Sequence, residues 1–72
     1  MTEKAIFAIV ASETGWDEID LETKLEDLGI DSLEFINLML AIEEAFWAIP
    51  NNSWSRLHTV GDIVHELKAV AP

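Results

Sequence analysis

The chain has 72 residues, half of them hydrophobic, and no cysteine; this allows one small core, read as a single domain over residues 1–72, and excludes disulfides, thiolate metal sites and cysteine nucleophiles. Four Lys and Arg against 14 Asp and Glu give a formal charge of −10, a field that repels nucleic acid and anionic lipid and suits a basic protein partner. The imbalance is confined: residues 1–44 hold twelve acids and two bases, residues 45–72 two of each.

Four segments have helical character, and no run alternates with period two. The first is expected from about Glu3 to Thr14, with Thr2 as N-cap, Ile6, Ile9, Val10 and Phe7 as its apolar stripe, and Gly15 as its stop. A loop of about fifteen residues, Trp16 to Ile30, follows. A loop that long needs anchoring, and Ile19, Leu21, Leu25, Leu28 and Ile30 are available for it. The second helix is expected from Asp31 to about Phe46, with Asp31 and Glu34 at capping-box spacing. Pro50-Asn51-Asn52-Ser53 marks a loop, with one short helical turn between Asn51 and Leu57. The last helix is expected from Thr59, with Asp62 at N3 and Val60, Ile63, Val64, Leu67 and Val70 turned inward.

No stretch reaches the roughly 18–20 apolar residues of a membrane span. Ala5–Ala11 faintly resembles a signal-peptide core. Thr2-Glu3-Lys4 is not a basic leader, however, and cleavage near Ser12 would remove a whole helix, so the chain is expected to be mature and cytoplasmic.

The second helix is apolar on two sides. At about 100° per residue, Phe35, Leu38, Met39, Ile42 and Phe46 share a core-facing sector. Leu33, Ile36 and Leu40 fall opposite, beside Asn37, Ala41 and Glu44 and flanked by Glu34 and Glu43. Three other short helices could hardly cover both faces, so the outer strip is expected to be an exposed docking surface rimmed by carboxylates. With Asp31 as cap, Ser32 takes the first helical position and its hydroxyl is not consumed. An attached phosphate there would meet free N–H groups and the positive end of the helix dipole, although a serine at a helix start is commonly only a cap or turn residue.

Glu26-Asp27-Leu28-Gly29-Ile30-Asp31-Ser32-Leu33, followed by Leu38-Met39-Leu40-Ala41-Ile42-Glu43-Glu44-Ala45-Phe46, Ile49-Pro50 and Thr59-Val60-Gly61-Asp62, resembles the acyl carrier protein family. The resemblance covers most of the chain from Leu25 onward. It implies an all-α four-helix bundle with a long loop between helices 1 and 2 and a short third helix. It further implies that the chain is not an enzyme, and that Ser32, with Asp31 and Leu33 beside it, carries a 4′-phosphopantetheine arm donated by coenzyme A through a phosphopantetheinyl transferase. Acyl groups would ride on the arm's thiol as thioesters to acyl-transferring, condensing or ligase enzymes of fatty-acid, lipid or polyketide biosynthesis, which would bind a monomeric carrier through basic patches. Partner contact would fall to Leu33, Glu34, Ile36, Asn37, Leu40, Glu43 and Glu44. Phe35, Met39, Ile42 and Phe46 would line an acyl pocket.

Asn37 stands where similar carriers commonly have glutamate, Phe46–Pro50 is one residue short and lacks acids, and Asn51–Arg56 carries +1 where an acidic stretch is usual. These departures imply a specialised rather than housekeeping carrier. Trp47 either extends the docking strip or folds onto Trp54, and Trp16 is expected to anchor the first loop. His58 and His65 lack the partners of a metal site, and Asp17, Glu18, Asp20 and Glu22 do not fit a calcium loop, so no metal is expected. The competing readings are a peptidyl or aminoacyl carrier and an unmodified acidic helical adaptor.

Overall fold

The computed structural model describes residues 3–72, so the expected cap at Thr2 lies outside the described residues. Three α-helices form: α1 over Glu3–Thr14, α2 over Ser32–Ala45 and α3 over Val60–Ala69, with 3-10 turns at Leu25–Leu28 and Asn51–Arg56. The fold is all-α, and the short third helix of the bundle is the 3-10 segment. Among the described residues the only ladder contact is an isolated antiparallel bridge between Lys24 and Thr59.

Local chemistry accounts for the helix ends. Gly15 stops α1 at φ 80°, its N–H donating to Ala11 O at 2.8 Å, a conformation that costs glycine little. Asp31 caps α2 from extended backbone. Thr59 and Asp62 form a reciprocal capping box at α3, each side chain taking an N–H the helix cannot satisfy. Hydrogen bonds from the His58 and Thr59 N–H groups hold the Asp62 carboxyl below its ordinary value of 3.8, against an opposing push from burial.

The core joins Ile6 and Val10 of α1, Leu38, Met39 and Ile42 of α2, and Val60, Ile63, Val64 and Leu67 of α3, closed by Leu25, Leu28, Ile49 and Leu57. Full burial of such a side chain contributes about 1.5–3 kcal/mol. Val70, expected inward, is the half-buried C-cap of α3.

Side chains and backbone together hold the long first loop: Leu25 and Leu28 are buried in the core and Ile19 and Ile30 pack against it, as expected. Leu25 N–H donates to His58 O, Val60 N–H to Thr23 O and Gly61 N–H to Leu21 O, each at 2.9 Å. The expectation that the Leu21 side chain pins the loop is corrected: that side chain is 41% exposed, and its carbonyl makes the tie instead. The approach is so close that a Cβ at Gly61 would lie 2.7 Å from Leu21 O. Trp16 anchors the loop as expected, its indole N–H donating to Leu28 O at 3.1 Å.

Helix α2 ends at Ala45, one residue before the expected Phe46, which caps it with φ −132° and ψ −90°. That turn redirects Trp47. Its indole N–H donates to Leu67 O at 2.9 Å and its ring meets Phe46 edge to face. Trp47 therefore neither continues the outer strip of α2 nor folds onto Trp54, because the helical angle used to place it does not persist past Ala45.

Candidate functional site

The site begins where the first loop turns into α2. Gly29 closes the 3-10 turn, its N–H donating to Glu26 O at 3.2 Å, and Ile30 and Asp31 lead directly into the helix. Asp31 Oδ1 accepts the Glu34 N–H at 2.8 Å, and Phe35 N–H opens the helical ladder on Asp31 O at 2.9 Å. The cap is one-sided: the full reciprocal box occurs at Thr59–Asp62. Ser32 is exposed at the first helical position. Capping falls to the Asp31 carboxylate, and no hydrogen bond among the described residues engages the Ser32 hydroxyl.

Beside Ser32 opens a groove of about 380 Å³, walled by Leu25, Ile30, Phe35, Ile36, Trp54 and Leu57, with Glu26 and Asp31 at its polar edge. No lysine, arginine or histidine lines it. Phe35 and Trp54 meet edge to face with centroids 5.7 Å apart and planes at 83°. The Trp54 indole N–H is tied to Ile49 O at 2.9 Å, which fixes the ring.

The four residues expected to line an acyl pocket are spread over two surface grooves, the core and the end of α2. Phe35 alone of them lines the groove at Ser32. Met39 lines a second groove further along α2, Ile42 is sealed in the core at 0% exposure, and Phe46 is the half-buried cap. Angular position on α2 identifies the inward sector but does not distinguish a groove wall from filled interior. The residues that reasoning missed are Trp54 and Leu57, carried in by the 3-10 segment; the pairing of Trp54 with Pro50-Asn51-Asn52 was the available signal.

The outer strip of α2 is open. Leu33 is 66% exposed, Ile36 42% and Leu40 51%, and Glu34, Asn37, Glu43 and Glu44 are exposed around them. His58 and His65 are also exposed. His58 serves the loop tie through its backbone carbonyl, which accepts the Leu25 N–H at 2.9 Å, while its own N–H donates to Asp62 Oδ2 at 2.8 Å. Among the described residues no group of three metal-ligating side chains converges, and no helix is long and apolar enough to cross a membrane.

Comparison with known proteins shows the family of the chain. The family model described as the phosphopantetheine attachment site matches residues 4–67. The acyl carrier protein of Clostridium acetobutylicum is 38% identical over 65 residues, covering 85% of this chain and 84% of the relative. That of Wolinella succinogenes is 41% identical over 54 residues, 72% of this chain and 71% of the relative. That of Borrelia garinii subsp. bavariensis is 43% identical over 54 residues, covering 72% and 68%.

Proposed function

Because the chain belongs to the phosphopantetheine attachment-site family and, within it, to the acyl carrier proteins, we propose that Ser32 is the residue that bears the arm. The chain is a carrier and not an enzyme: it holds acyl groups on a 4′-phosphopantetheine prosthetic group. When attached, that group supplies the thiol this cysteine-free chain lacks. The observation that carries the assignment is the free, exposed Ser32 hydroxyl at the first position of a 14-residue helix whose capping falls to Asp31.

The local chemistry fits a phosphodiester. The cap takes the Glu34 N–H and the ladder starts at Phe35, which leaves the Ser32 and Leu33 N–H groups at the positive end of α2. Glu26 and Asp31 oppose the phosphate, and no cation lines the groove to clamp it. The arm is therefore anchored at one point and free to swing, which raises the concentration of its cargo at a partner's active site.

The carrier works with a phosphopantetheinyl transferase and with acyl-handling enzymes. Docking falls to Leu33, Ile36 and Leu40, with Glu34, Glu43 and Glu44 meeting basic residues of the partner and Asn37 leaving a gap in that rim. The thinned rim and the cationic Asn51–Arg56 segment favour partners in a dedicated lipid or polyketide pathway, served by a monomeric single-domain carrier in the cytoplasm. The test is to treat the protein with coenzyme A, magnesium and a promiscuous transferase and to map the product by peptide mass. One arm on the peptide containing Asp31-Ser32 is the expected result; an arm elsewhere, or none, overturns the assignment.

A further inference from the structure

Two grooves on the side of α2 share a wall. The second, about 350 Å³, is lined by Ile36, Met39, Leu40, Ile49 and Trp54, with Glu43 and Asn51 as polar members. Ile36 and Trp54 also line the groove at Ser32, so the two form one track between α2 and the segment Ala48–Leu57. The interior is built differently. Leu38, Ile42, Ile63 and Leu67 have no exposed surface, and none of them lines either groove. Between groove and interior stands the Phe35–Trp54 pair, with the indole tied to Ile49 O. Interiors packed to crystal density do not yield room for a chain without displacing such rings.

We propose that the acyl group on the arm is turned away from the core by Phe35 and Trp54 and rests instead in the second groove, over Ile36. This rests on Ser32 being the attachment point. Reach supports the route. From Ser32 to Met39 is seven residues, about 10 Å along the helix, and to Glu43 eleven residues, about 16 Å. The arm, two amide-linked units and a cysteamine, spans about as much as five to six extended residues, roughly 20 Å. The thioester thus arrives over the second groove with a few ångströms left. A short acyl group is covered there, whereas a longer saturated chain overfills the groove, so that it and its thioester stay in water.

The experiment loads butyryl and octanoyl arms from the corresponding coenzyme A thioesters onto the full chain. Peptide mass first locates the arm: a position other than Ser32 overturns the attachment reading, and the track with it, before any chains are compared. With Ser32 loaded, the butyryl group should shift the NMR signals of Ile36, Met39, Ile49 and the Trp54 indole N–H. The octanoyl group should leave the methyl signals of Leu38, Ile42, Ile63 and Leu67 in place, and hydroxylamine should cleave its thioester within about threefold of the rate for free octanoyl-pantetheine, as an unsheltered group requires. In Trp54→Ala, octanoyl cleavage should slow about tenfold, the factor set by a nine-tenths sheltered population. Phe35→Leu serves the same end should Trp54→Ala not fold. Octanoyl shifts at Ile42 and Ile63 in the unmutated protein, with tenfold protection, overturn the proposal, as does a lack of added protection in both variants.

Discussion

Helices α2 and α3 begin with the same device and use it to different ends. At α3 the cap is Thr59, its hydroxyl oxygen accepting the Asp62 N–H at 3.0 Å while the Asp62 carboxylate accepts in turn from the Thr59 and His58 N–H groups. At α2 the cap is a carboxylate, and the hydroxyl is displaced by one residue to Ser32, where it is exposed and unengaged. The contrast continues along each helix. Residues Val60, Ile63, Val64 and Leu67 of α3 are buried, whereas α2 buries Leu38, Met39 and Ile42 and leaves Leu33, Ile36 and Leu40 open. One helix closes the fold; the other leaves a reactive oxygen and a greasy face in water, and the identity of the cap residue separates the two.

The contrast can be broken most sharply at Ser32. Ser32→Ala should abolish arm attachment, read by intact mass, while circular dichroism and the melting curve stay those of the parent; a variant that still gains one arm refutes the assignment. Next come the two apolar faces. Leu67→Ala should cost about 2–5 kcal/mol in chemical denaturation, as for a buried large-to-small change, whereas Leu33→Ser or Leu40→Ser should stay within about 0.5 kcal/mol and lose partner binding. Comparable losses at Leu33 and Leu67 would show that the outer strip is structural.

The caps separate by a smaller margin. Thr59→Ala should destabilise by about 1 kcal/mol, measured by urea titration. The associated pH effect follows from Asp62, whose pKa lies below 3.8 when folded. A group depressed on folding contributes fully above its unfolded value and loses that contribution as pH falls through the folded one. The stability gap between the parent and Asp62→Asn should therefore be widest above pH 3.8 and close below it; a gap unchanged down to about pH 2 is incompatible with this linkage. The smallest effect is that of salt. Twelve acids crowd residues 1–44, so stability should rise modestly as screening shortens toward ~8 Å at physiological ionic strength, while binding to a basic partner weakens. Partner affinity that is flat or rising with salt would mean that docking is purely apolar.

Much of this was legible in the sequence where a helix supplied its own signals. Glu3–Thr14 follows from an apolar stripe and Gly15, the start of α2 from Asp31, and the start of α3 from the Thr59–Asp62 spacing. The exposed strip of α2 was legible for the same reason: periodicity states which residues share a face, and two apolar faces on one helix exceed what so small a bundle can cover. The route taken by the irregular segments was not legible. Trp47 reaches Leu67 O only because the backbone turns at Phe46, and no helical angle anticipates a turn. Trp54 walls the groove because a 3-10 turn sets its ring against Phe35, a contact across nineteen positions that neither residue's neighbours encode. Helical angle alone therefore does not show that Phe35 and Met39 wall grooves while Ile42 is sealed inside.

The backbone tie between the first loop and the start of α3 bears on the order in which the molecule is assembled. Thr23 and Leu21 accept the Val60 and Gly61 N–H groups, donors that the first turn of a helix cannot satisfy by itself. The first turn of α3 is thus completed by residues made long before it, and α2 with its serine lies wholly inside the ring that this contact closes. The Leu25, Val60 and Gly61 amides should exchange with deuterium as one cooperative unit. The start of α3 holds the loop that presents Ser32, and that loop in turn completes the start of α3.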